Sequence, residues 1–175
     1  MKKFIVLSTA ALFLAIPAYA QSVPEKTGVN AAIGVSPSTQ DFVTEAANSD
    51  MLEIASSKLA LSKGDPKLKT FADKMIEDHT KTSSEVKALV TSGKVKIDLP
   101  ATMDKVHQSK LDKLSALTRA DFTKDYESMQ VSAHKDAVSL FERYSKSGDN
   151  TDLKAFAAKT FPHLQEHLKM AQALK

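Results

Sequence analysis

From Thr39 onward, apolar residues recur at steps of three and four, the spacing of one helix face. One stretch carries Leu68, Phe71, Met75, Val86 and Leu89 in this rhythm. A later one carries Phe122, Tyr126, Met129, Ala133, Ala137, Leu140 and Tyr144. The last carries Leu153, Phe156, Ala157, Leu164, Leu168, Ala171 and Leu174. Stripes of this kind need a shared core.

Local signals divide the stretch 39–175 into five helical segments. The first runs from about Thr39 to Lys63 and ends at Gly64, a natural C-cap. The second opens with Asp65-Pro66, a capping residue followed by proline at the first helical position, and runs to about Ser92 before Gly93. Lys94 to Leu99 reads as a loop, and a shorter third segment spans about Pro100 to Leu117. Thr118 caps the fourth, with Asp121 completing an acidic variant of the capping box, and that segment ends near Ser147-Gly148. Asp149 or Asn150 caps the last, which runs to about Leu174. Four long helices and a short one, tightly connected, predict an all-α fold: an antiparallel four-helix bundle with the short helix in the crossover.

The stretch 21–38 is rich in Pro, Gly, Ser and Thr and has no period, so it is expected to be a flexible leader. Residues 1–20 have the make-up of a secretory signal: Lys2 and Lys3, an apolar stretch from Phe4 to Ile16, and Ala18-Tyr19-Ala20 before the cut. That stretch is shorter than the ~20 residues needed to span a bilayer. Cleavage after Ala20, a periplasmic location and no transmembrane segment in the mature chain are the expectations. Losing Lys2 and Lys3 would lower the net charge from +3 to +1, which gives no argument for a nucleic-acid partner.

The chain has no cysteine, which excludes thiol catalysis, cysteine zinc sites and iron–sulfur clusters. No histidine has Glu three residues before it, as carboxylate-bridged di-iron bundles require. There is no phosphate-cradling glycine loop and no Gly-x-Ser-x-Gly, and no residue is assigned a catalytic role.

What remains is a set of polar residues on apolar stripes. His79 lies between Met75 and Thr82, and His167 between Leu164 and Ala171. His134 is at the stripe edge, near Val138 and Phe141 on the helical wheel. Glu53 shares a small-residue face with Phe42, Ala46, Ser49, Ser56 and Ala60. Each long helix thus offers one inward group able to bind a metal, and a buried carboxylate needs a partner. Two readings stand: a transition-metal site, with iron, zinc, copper or manganese suited to mixed N/O donors, or a buried hydrogen-bonded network. His163 and Glu166 lie on the last segment in the run His163-Leu-Gln-Glu166-His167, a secondary candidate at the stripe edge. Pro162 beside them frees the Ala158 carbonyl and predicts a kink. His107 is expected to pack in the core.

With these residues placed, the chain resembles a family of secreted bacterial helical proteins, domain of unknown function four-one-four-two, whose members often carry the label of outer membrane protein. The resemblance runs from about Asp41 to Leu174. It is carried by Asn48 to Ile54, Phe71 to His79, Leu99-Pro100, Phe122 with Tyr126, His134, and Phe161 to Leu168. It implies a ferritin-like bundle and an envelope location. It also implies a Glu and three His at the places of Glu53, His79, His134 and His167. It implies no activity, cofactor or partner. Function is therefore expected to be either metal binding through these four residues or a non-enzymatic envelope binding or structural module.

Overall fold

The computed structural model describes residues 22–26 and 28–174; the expected signal at 1–20 lies outside them. Seven α-helices follow in order: α1 (Val23–Lys26), α2 (Val29–Ala32), α3 (Thr39–Lys63), α4 (Lys69–Thr91), α5 (Lys105–Ser115), α6 (Arg119–Ser147) and α7 (Thr151–Gln172). The described residues form no strand. No helix among them is long and apolar enough to cross a membrane.

The helix ends follow their local chemistry. The Ser38 hydroxyl accepts from the Asp41 amide (3.1 Å) and donates to the Asp41 carboxylate (2.9 Å), tying down the first turn of α3. Gly64 ends α3 in an extended conformation rather than a left-handed one. Glycine fits there because a Cβ would lie 2.6 Å from the Ala60 carbonyl oxygen. Asp65 does cap, but it caps a 3-10 turn, Pro66–Leu68, that precedes α4. The third segment starts later than Pro100. Asp104 caps it, accepting from the His107 amide (2.8 Å), and its own amide donates to Asn48 Oδ1 (2.7 Å). That anchor holds the preceding residues to α3 in a non-helical course. Thr118 precedes α6, but its hydroxyl donates to Asp121 (3.1 Å) instead of accepting a backbone bond. Of Asp149 and Asn150, Asn150 is the cap of α7, accepting from the Leu153 amide (3.0 Å). α7 continues through Pro162.

The long helices α3, α4, α6 and α7 pack in a ring: α3 on α4 and α6, α7 on α6 and α4, with α5 laid on α3 and α6. Two apolar clusters fill the ring. One gathers Phe42, Val86, Phe141, Tyr144, Phe156 and Leu164. Phe42 stacks on Tyr144 (centroids 4.1 Å) and meets Phe141 edge-on (4.9 Å). The other gathers Leu68, Phe71, Met75, Phe122, Tyr126 and Ala171. Along α3 and α7 the chain passes from the first cluster to the second; along α4 and α6 it passes back. Each packed pair in the ring therefore runs antiparallel. Between the clusters lies a buried polar layer: Asp50, Glu53, Ser56, Ser57, His79, Gln130, His134 and His167.

The stretch 21–38, aperiodic in sequence, carries the one-turn helices α1 and α2 and specific contacts to the ring. Glu25 forms a bidentate pair with Arg143 (2.6 and 3.2 Å), and both side chains are buried. Ser22 donates its amide (2.6 Å) and hydroxyl (2.8 Å) to Asp41. Contacts so distant along the chain leave no trace in local periodicity.

Candidate metal centre

The polar layer exists because each long helix interrupts its apolar stripe near mid-length. Three of the interruptions are histidines. His79 on α4, His134 on α6 and His167 on α7 are 3%, 1% and 3% exposed. Their ring centroids lie 5.4 to 5.7 Å apart pairwise. One ring nitrogen of each lies within 4.8 Å of the other two.

Each imidazole is held by one of its nitrogens. His79 Nδ1 lies 2.7 Å from Asp50 Oδ1, and Asp50 also accepts from the Thr82 hydroxyl (3.0 Å to each oxygen). His134 Nδ1 donates to the Gln130 carbonyl one turn back on α6 (2.9 Å). His167 Nε2 lies 2.7 Å from Asp78 Oδ2, a carboxylate that also pairs with Lys74 (2.9 Å). In a neutral ring, an oxygen acceptor on one nitrogen fixes the hydrogen there and leaves a lone pair on the other. Those other atoms, His79 Nε2, His134 Nε2 and His167 Nδ1, are buried and meet no hydrogen-bond partner.

Electrostatics differ among the three. Burial, with the nearby His79 and His134, pushes His167 down to about 4 against the pull of Asp78. Burial likewise lowers His134. At His79 burial also opposes protonation, but the hydrogen bond and charge of Asp50, helped by Glu53 and Asp78, raise it above its ordinary value. Burial raises Asp50 in turn. For Asp78 burial is outweighed by Lys74 and His167, which hold it below the usual carboxylate range. Neutral imidazoles are the form that binds metal.

Glu53 on α3 is 1% exposed in the same layer. Its Oε2 accepts from Gln130 Nε2 (2.7 Å), and its Oε1 is buried without a partner. Its charge acts on His79, His134 and Tyr126, whose hydroxyl burial pushes far above its ordinary value. Glu53 is not within the 4.8 Å group that the three histidines form. His163, Glu166 and Pro162 are exposed on α7 and lie outside that group. His163 does line a surface cleft that reaches His79 and His167. His107 is buried on α5, and its nitrogens face Asp104 (2.9 Å) and Glu45 (3.3 Å) rather than an apolar core.

Sequence reasoning missed Asp50, Asp78 and Gln130. Gln130 sits one turn before His134, so helical spacing alone could have found it. Asp50 and Asp78 meet histidines 29 and 89 residues away, which only the packing of α3, α4 and α7 reveals. With one oxygen orienting each ring and one buried nitrogen left without a partner, the arrangement has the outer partners that metal-bound histidines characteristically have.

No curated protein and no solved structure matches the chain. The family model described as "Domain of unknown function (DUF4142)" matches residues 24–174, all four long helices and the histidine cluster included. The chain therefore belongs to the DUF4142 family.

Proposed function

We propose that this protein is an exported, periplasmic, ferritin-like antiparallel four-helix bundle that holds one transition-metal ion through His79, His134 and His167, with Glu53 as the fourth donor. One observation carries the reading: three buried histidines each bring a ring nitrogen within 4.8 Å of the others, and each has one buried ring nitrogen without a hydrogen-bond partner. Leaving a buried polar atom unsatisfied costs about 1–3 kcal/mol. Three such atoms in one layer, beside the unpartnered Glu53 Oε1, are what a shared cation would relieve. Ligand nitrogens roughly 2.1 Å from one tetrahedral ion sit about 3.4 Å apart, so modest side-chain rotation would close the group.

Three imidazoles with one carboxylate suit zinc, iron, copper or manganese. The chain supplies a buried setting and oriented rings. Asp50, the Gln130 carbonyl and Asp78 would fix the tautomers and raise the basicity of the ligands. The ferritin-like reading draws on the ring of long helices with α5 in the crossover, but the donor set is not that of a carboxylate-bridged di-iron centre.

The competing reading, a hydrogen-bonded structural network, draws on the same Asp50–His79 and Asp78–His167 bonds. It leaves the inward half of the layer unsatisfied, and a half-satisfied network is worse than an apolar core. The test is metal analysis of the untagged protein, with melting measured with and without added ion. A stoichiometric transition metal, and a melting rise lost in both His79→Ala and His167→Ala, is expected. No bound metal and no shift with zinc, iron, copper or manganese would refute the site. Export is tested separately, by fractionation and by the N-terminal residue of the protein recovered, which should be Gln21.

A further inference from the structure

The histidine cluster is closed to solvent, so an ion reaching it must pass between helices. Two clefts approach it. One, with a volume of about 30 Å³, touches His79 alone of the three. The other, about 70 Å³, lies between α4 and α7 and is lined by both His79 and His167. Asp78, the carboxylate that orients His167, also faces this second cleft.

Two features lie along that cleft. His163 is exposed on α7, one turn before His167, so the two imidazoles share a helix face. Lys159 reaches from α7 to both oxygens of Glu85 on α4 (2.8 and 2.9 Å), an ion pair that bridges the two helices lining the cleft. Lys159 is largely exposed, and an exposed pair of this kind opens readily.

Resting on the metal reading, we propose that the α4–α7 cleft is the loading route, that His163 captures the ion there and passes it to His167, and that the Glu85–Lys159 pair closes the way behind it. The physical need is stepwise dehydration. A bare cation pays heavily for leaving water unless new donors replace the lost ones. An exposed imidazole four residues from a buried one lets water ligands be exchanged in stages. It also accounts for a histidine in the cleft that belongs to no cluster and is not needed for the final site.

A residue used only in transit changes rates and leaves equilibrium alone. Cobalt(II) binding to the full protein, followed by stopped-flow absorbance, reads both. His163→Ala and His163→Gln should slow association several-fold and slow dissociation by the same factor, with the dissociation constant unchanged. Lys159→Ala should speed both steps. His134→Ala, which removes a ligand away from the cleft, should abolish binding. Unchanged rates in both His163 variants would overturn the loading route while leaving the metal site standing. A loss of equilibrium affinity in those variants would overturn it too, by making His163 a resident ligand. No cobalt binding by the unmodified protein would refute the metal site itself, and the route with it.

Discussion

Replacing Glu53 by glutamine separates a metal ligand from a structural partner by the sign of its effect. Glu53 is 1% exposed, accepts one hydrogen bond from Gln130, and has one oxygen with no partner. Glutamine keeps the length and volume of the side chain. It retains an oxygen for Gln130 and turns an N–H toward the side where Oε1 had nothing. The same buried layer holds His134 Nε2 and His167 Nδ1, acceptors on rings that burial keeps neutral and that meet no donor. Relief of one unsatisfied buried group is worth about 1–3 kcal/mol. For a chain of this size, each kcal/mol moves the melting temperature by about 2–4 °C, so the metal-free Glu53→Gln protein should melt roughly 2–12 °C above the unmodified one. With ion added the order should reverse. At about a thousand times its dissociation constant, a bound ion stabilises the unmodified protein by about 4 kcal/mol. The variant lacks the carboxylate, the one anionic donor of the four, and should gain less. Scanning calorimetry in chelator and in zinc gives all four values. A metal-free variant that melts below the unmodified protein would refute the argument and make the carboxylate a structural partner.

Three further outcomes follow from the same contacts. Asp78→Ala, which removes the oxygen orienting His167, should weaken zinc binding by about 10–100-fold in calorimetric titration; unchanged affinity would remove Asp78 from the centre. At His107 burial disfavours the charge, but Glu45 and Asp104 outweigh it and raise its pKa above 6.5. Its stabilising effect is therefore fully present below about 6.5 and is lost as pH rises through the higher folded value. Urea unfolding across pH should show the advantage over His107→Gln shrinking on the alkaline side; an advantage independent of pH would contradict this. Arg143→Ala strands the buried Glu25, a loss of about 3–5 kcal/mol if the N-terminal segment stays docked. The segment should instead release, and trypsin should cut after Lys26 well before the helices unfold. Equal resistance to trypsin would show that the pair does not hold it.

The helices were legible because their signals are local. Ser38, Asp65, Asn150 and Gly93 mark ends within one turn of the residues they serve. The start at Lys105 rather than Pro100 was decided by Asp104 holding Asn48, a residue 56 positions away. The N-terminal segment shows the same limit. Its composition reads as loop, yet Ser22 and Glu25 meet Asp41 and Arg143 on the ring.

For the cluster, sequence by itself pointed to the three histidines. A histidine on an apolar stripe is conspicuous because burial of a polar ring needs a reason, and this singled out His79, His134 and His167. It also set out that each comes from a different helix. What it could not give is their convergence. That depends on how three helices are rotated and offset against one another, and those degrees of freedom are fixed by side-chain packing in the two apolar clusters. The same packing brought Asp50 and Asp78 to the outer nitrogens, left Glu53 bonded to Gln130 beside the triad, and kept His163 at the surface. Periodicity specifies which face of a helix turns inward; only the docked helices specify what that face meets.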